Sequence, residues 1–128
     1  MKQATGPLKG VTIIDCSMNL AGPFGAAMLA DLGANVIKVE PPSGDPARSS
    51  PPLSPDYANP DADEPAGVDY GGYFASINRN KRSIVLDLKK TEDKEILLKL
   101  CDKADAIIEN MRTGIMDKLG VGLSLIHI

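Results

Sequence analysis

Hydrophobic positions in this chain fall into short blocks, each closed by a polar, glycine or proline signal. Residues 11–15, V-T-I-I-D, are a β-branched run that predicts a first buried strand. A turn over residues 16–23 follows, and Pro23 suits the first position of a helix, where its missing N–H costs nothing. Residues 24–32 are rich in Ala, Leu and Met and apolar on nearly every side except Asp31. They predict a buried helix, with Gly33 as its C-terminal cap. Val36 to Glu40 is a second strand. Two strands joined by such a helix make a βαβ unit with parallel strands.

Pro41 and Pro42 stop the second strand, and the composition then shifts to Pro, Ser, Gly and Asp. From Asp56 to Asp69 every charge is negative. The segment predicts a long surface loop over 41–72, with Gly71-Gly72 marking its return. Residues 73–88, Y-F-A-S-I-N-R-N-K-R-S-I-V-L-D-L, put a basic stretch (78–82) ahead of an apolar run (84–88). That order predicts a loop presenting cations at the entrance of a buried strand; the plainer reading of the cations is a solvated loop. Thr91 reads as an N-cap, with Glu92 and Asp93 in the first turn. Ile96, Leu97, Leu100 and Cys101 then recur at helical spacing, and Lys94, Glu95, Lys99 and Asp102 form the wet side. Residues 106–109 predict another strand, 110–114 a loop, and 115–119 a short helix closed by Gly120. Repeated β–α units with buried strands mean an α/β, Rossmann-like parallel sheet with flanking helices.

The chain has 128 residues, 43% hydrophobic and 24% charged, enough to bury the core of one small domain. A formal net charge of −3 argues against a general nucleic-acid binder. No apolar run approaches the length that spans a bilayer, and residues 1–10 lack the patterns of a signal or transit peptide. Cys16 and Cys101 lie in apolar segments without metal-ligand spacing, as expected of free thiols in a reducing cytoplasm.

Ligands of open parallel sheets collect beyond the carboxyl ends of the strands. The loops there are 19–23, the segment from Pro41, and 110–114. None carries G-x-G-x-x-G or a P-loop, which disfavours a nicotinamide-dependent oxidoreductase. His127 is the one histidine, and no Ser-His-Asp set or metal cluster can be assembled. Asp15 and Asp87 stand at strand ends as candidate catalytic carboxylates; such residues more often cap turns or pair with cations.

Seven motifs in order are more specific than any one of them. They are P-L-x-G-V at 7–11, Asp15, L-A-G-P at 20–23, L-A-D-L-G-A-x-V-I-K-V-E-P-P at 29–42, G-D-x-x-R at 44–48, N-R-N-K-R-S-I-x-L-D-L-K at 78–89 and A-D-x-I-I-E-N at 104–110. Together they resemble the class III coenzyme A transferases (the CaiB/BaiF family), which include formyl-CoA transferase and α-methylacyl-CoA racemase, and the resemblance runs from about Pro7 to Gly122. It implies the N-terminal part of a large Rossmann-like domain in a longer enzyme whose two subunits interlock. The substrates would be an acyl-CoA and a carboxylic acid, with no tightly bound cofactor and no nucleic-acid or membrane partner. In transferases of the family an Asp attacks the donor thioester, and the exchange passes through an anhydride and an aspartyl-CoA thioester. Racemase relatives use an acid/base pair instead. Either set would lie beyond Ile128, so no catalytic residue is expected in the chain.

The resemblance carries CoA binding onto nine positions. Asn19, Leu20 and Ala21 match the turn lying against CoA. Leu86 and Lys89 match positions at the adenosine phosphate end, and Asn110, Met111 and Arg112 the loop beneath the pantetheine–diphosphate. Lys118 matches a basic position on the following helix. Lys89, Arg112 and Lys118 suit phosphate charges; each also reads as a solvated side chain. Three departures stand out. Pro41 replaces an Arg that contacts adenine in several members. The 49–70 loop is longer and more acidic than in compact members. Residues 123–128, L-S-L-I-H-I, do not continue the family pattern and read as an adapter-like tail, which removes functional weight from His127. Besides transfer, the sequence leaves open an acyl-CoA racemase and a non-catalytic CoA- or nucleotide-binding module.

Overall fold

The computed structural model describes residues 5–52 and 71–122. Four parallel strands form one sheet in the order β3-β2-β1-β4. They are β1 (Thr12–Asp15), β2 (Asn35–Glu40), β3 (Lys81–Val85) and β4 (Ala106–Ile108). The helices are α1 (Ala21–Asp31), α2 (Gly72–Ile77), α3 (Thr91–Cys101) and α4 (Ile115–Lys118), with a 3-10 turn at Pro46–Ser49. The expected α/β parallel sheet with flanking helices is thus the observed one. β1 is central, with Ile14 opposite both Ile37 of β2 and Ile107 of β4.

Because successive strand side chains point to opposite faces, the sheet feeds two apolar layers. On one face Ile14, Cys16, Val39 and Leu86 meet Leu97, Met116 and Val121. On the other, Ile13 and Val36 pack on Ala26, Ala30 and Ala34. Small alanines let α1 lie close to its face. Gly33, with φ 100, ends that helix where a Cβ would stand 2.5 Å from the Thr5 carbonyl oxygen.

Several local expectations are corrected. Helix α1 starts at Ala21, so Pro23 is its third residue. It is not buried all round: Leu20, Phe24, Met28 and Leu32 are 50%, 45%, 52% and 46% exposed. Their four-residue spacing lines them up on one side, away from the alanine face. The third strand begins at Lys81 and ends at Val85, three residues ahead of the apolar run expected to form it. It is an edge strand, and Val85 is largely exposed. The loop expected over 41–72 holds the 3-10 turn, and α2 follows it from Gly72; residues 53–70 lie outside the described residues. The first residue of α3 is Thr91, with Lys90 at the cap position. Asp93 there accepts the Asp87 N–H at 2.7 Å. Ile96, placed on the dry side of α3, is 40% exposed. The adapter-like tail at 123–128, with His127, also falls outside the described residues.

Candidate functional site

The cations of the stretch at 78–82 are engaged by partners within the chain. Lys81 turns inward from β3, and its Nζ meets Asp15 Oδ2 at 2.7 Å, the Pro23 carbonyl at 2.7 Å and Asn78 Oδ1 at 2.8 Å. Burial pulls its pKa below the ordinary lysine value, with Asp15 opposing the shift. Arg79 pairs with Asp31 on the surface, and Arg82 donates to Asn35 Oδ1 at 2.7 Å. The expected presentation of these cations to an anion is therefore not what the strand does with them. Asp15 is fully buried and also accepts from Ser17 N and Oγ. Asp87 accepts the Lys89 N–H at 3.1 Å. Both candidate carboxylates are thus occupied, one by a cation and one by a turn.

A second polar layer lies at the end of β2. Lys38 and Asp45 form an ion pair of 2.8 Å at 1% and 0% side-chain exposure. Arg48 grips Glu40 with two hydrogen bonds of 2.7 Å, and Ser83 of β3 and the Asp45 N–H add two more donors. The Arg48 guanidinium also stands over Phe74 of α2, 3.9 Å from the ring centroid. Burial alone would raise the Glu40 pKa, but the bonds from Arg48, Ser83 and Asp45 outweigh it and hold the carboxyl at about 2. Reasoning from sequence gave these residues no role. A signal was present: Lys38 and Glu40 interrupt an otherwise apolar strand at period-two spacing, and an acid and a base follow in the G-D-x-x-R segment.

The cleft proper opens beyond the carboxyl ends of the strands. Its volume is about 230 Å³, and its lining includes Cys16 and Met18 after β1, Val39 and Pro41 at the end of β2, Leu86 to Lys89 after β3, and Met111 after β4. Ile115 and Leu119 of the α4 region close it. Three carried-over positions, Leu86, Lys89 and Met111, therefore share one wall-to-wall space. Arg112 lines an adjoining hollow that also touches Met111. Lys118 is exposed on α4 and borders neither space. Among the described residues, Lys89, Arg112 and Lys118 enter no ion pair, so their charges are open to an anion. Asn19, Leu20 and Ala21 stand exposed where the chain enters α1, and Asn110 is bonded to Met18 beside them; none of these four carried-over positions lines the cleft. Pro41 adds an apolar ring to the cleft lining. Cys16, in the lining, has its thiol pushed up to about 12 by burial first and then by Cys101 and Asp15, which leaves it inert as a nucleophile.

The model of CoA-transferase family III matches residues 8–126. The chain belongs to CoA-transferase family III. Among its family relatives, the succinyl-CoA:mesaconate CoA-transferase of Haloarcula hispanica is 46% identical over 91% of this chain. The acetyl-CoA:oxalate CoA-transferase of Acetobacter aceti is 43% identical over 90% of the chain, and the succinyl-CoA:glutarate CoA-transferase of Mus musculus 39% over 91%. A CAIB/BAIF family protein from Brucella suis superimposes with a TM-score of 0.81 at 37% identity, covering 94% of this chain and 30% of its own. Rv3272 from Mycobacterium tuberculosis gives 0.78 at 36%, covering 97% and 31%. This family III chain spans 28%, 26% and 24% of the three curated relatives named.

Proposed function

We propose that this chain is the CoA-binding, N-terminal part of a class III CoA transferase that moves coenzyme A between carboxylic acids. The observation that carries the reading is the convergence of Leu86, Lys89 and Met111 on one cleft beyond the strand ends, with Arg112 next to it. CoA offers what that arrangement suits: apolar surface for a lining rich in Leu, Met and Ile, and phosphates for the cations Lys89 and Arg112. The curated relatives named above are transferases, which favours transfer over racemisation.

Transfer needs a nucleophilic carboxylate. Asp15 is buried under Lys81 and Asp87 is engaged in its own turn, so neither serves. On the family resemblance, we take the nucleophile to be an Asp in the part of the enzyme this chain does not span. Its carboxylate attacks the donor thioester carbonyl and expels the CoA thiolate, leaving a mixed anhydride. The thiolate attacks the aspartyl carbonyl of the anhydride, releases the donor acid as its carboxylate, and forms the aspartyl-CoA thioester. The acceptor carboxylate repeats the two steps in reverse order. The contribution of residues 5–122 is to hold the nucleotide end so that the thioester reaches that Asp. The full-length enzyme would work as an interlocked homodimer in the cytoplasm, on an acyl-CoA and a carboxylic acid.

Calorimetric titration of CoA into the 128-residue chain tests the binding step. Lys89→Ala and Arg112→Ala should each weaken binding by roughly five- to tenfold, as expected for one exposed charge-assisted contact. Affinity should also fall with salt. Absence of any CoA binding, or variants that bind like the parent, would remove the basis for the assignment.

A further inference from the structure

The turn after β1 is held by side chains from elsewhere to an unusual degree. The Ser17 N–H donates to Asp15 Oδ1 at 3.0 Å, and the Ser17 carbonyl accepts from Lys38 Nζ at 2.9 Å. The Met18 N–H donates to Asn110 Oδ1 at 2.9 Å, and the Met18 carbonyl accepts from Asn110 Nδ2 at 2.8 Å. The Asn19 N–H donates to Asp45 Oδ1 at 3.2 Å. Consecutive backbone polar groups are therefore satisfied without any ligand. Asn19 itself is left-handed at φ 66, a conformation asparagine tolerates better than most residues. Gly22 lets α1 close over the turn, since a Cβ there would stand 2.2 Å from Ser17 Cβ and 3.4 Å from Asn110 Cγ.

Asn110 spends both ends of its amide on one residue of this turn. That residue, Met18, and the neighbour of Asn110, Met111, line the same cleft. The Asn110 amide therefore bridges the two loops that carry the cleft wall. We propose that Asn110 is a positioning residue: its amide ties the 17–19 turn to the loop after β4 and so presets the cleft wall before CoA arrives. The inference rests on the CoA-binding reading above. The gain is pre-organisation, because the ordering of the turn is completed before the ligand arrives.

The test combines calorimetry with residue-resolved hydrogen exchange on the 128-residue chain, with CoA as the probe. In the parent chain the Met18 N–H should be equally protected with and without CoA. Asn110→Ala should lose that protection, bind CoA roughly tenfold more weakly, and regain protection at Met18 when CoA is saturating. A residue that only supports the fold would not make Met18 protection depend on CoA. Faster Met18 exchange in the parent on CoA binding would overturn the proposal, because the amide would then have left Met18 for the ligand. Asn110→Ala with unchanged affinity would overturn it too, while leaving CoA binding intact. Failure of the parent to bind CoA would overturn both readings. The parent measurement needs no variant, so it decides the matter even where Asn110→Ala does not fold.

Discussion

Protonating Glu40 should loosen the segment that follows β2. Its carboxylate is 2% exposed and receives Arg48, Ser83 and the Asp45 N–H. Those donors bring its pKa from the ordinary 4.5 to about 2 against the opposing effect of burial. The interval corresponds to about 3 kcal/mol of native-state preference for the charged form. The folded pKa lies below the unfolded one, so the native state binds fewer protons through that window. The contribution is complete above 4.5 and is lost as pH falls from there toward about 2. Urea unfolding followed by circular dichroism, from about pH 7 to about pH 3, would measure it in the parent and in Glu40→Gln. The variant should be about 3 kcal/mol less stable at neutral pH. The gap should shrink as acid removes the same contribution from the parent. Other carboxylates titrate in both proteins and cancel in the difference. A gap that stays constant from neutral to acid pH would refute the reasoning, since the stabilisation would then not come from the ionised carboxylate.

Lys81→Met should leave Asp15 buried without its cation and lower stability by about 3–5 kcal/mol in the same urea experiment; a loss below about 1 kcal/mol would mean water reaches Asp15. Gly22→Ala should destabilise by about 1–3 kcal/mol, because its Cβ collides with Ser17; a neutral result would show that α1 can shift away from the turn. Cys16, with its thiol held at about 12, should react with a thiol reagent only as fast as the chain opens, whereas the less buried Cys101 reacts sooner. Equal rates for the two thiols would contradict the burial that sets them apart.

The strands with unbroken apolar runs were legible in the sequence, because Ile13, Ile14, Val36 and Val39 carry their burial in their residue type. The third was misplaced by three residues, since hydropathy reads Lys81 and Arg82 as loop. What puts them in a strand is the Asp15 carboxylate and the Asn35 amide across the sheet, partners 66 and 47 positions away. The six-residue helix α2 went unseen, as its residues carry no full helical period and lean on Ala47 and Arg48 for burial. Half of α1 misled in the other direction: Phe24 and Met28 look like core but lie outward. Of the candidate site, the motif match supplied Leu86, Lys89 and Met111, which share the cleft. The polar layer built by Lys38, Glu40, Asp45 and Arg48 required coordinates, because a charge in a sequence does not announce its partner.

The link from Asp15 to Lys81 also bears on the order in which the chain can assemble. It reaches from β1 over β2 to β3 and closes a separation of 66 residues. Glu40, already held by Arg48, takes one further donor from Ser83, 43 positions on. The β1–α1–β2 crossover therefore carries a carboxylate, Asp15, whose charge is compensated only after the far strand docks. Local contacts alone cannot complete it, and long-range closure is the slow part of such topologies. The sheet should form as one cooperative block, with β3 as the piece that commits it.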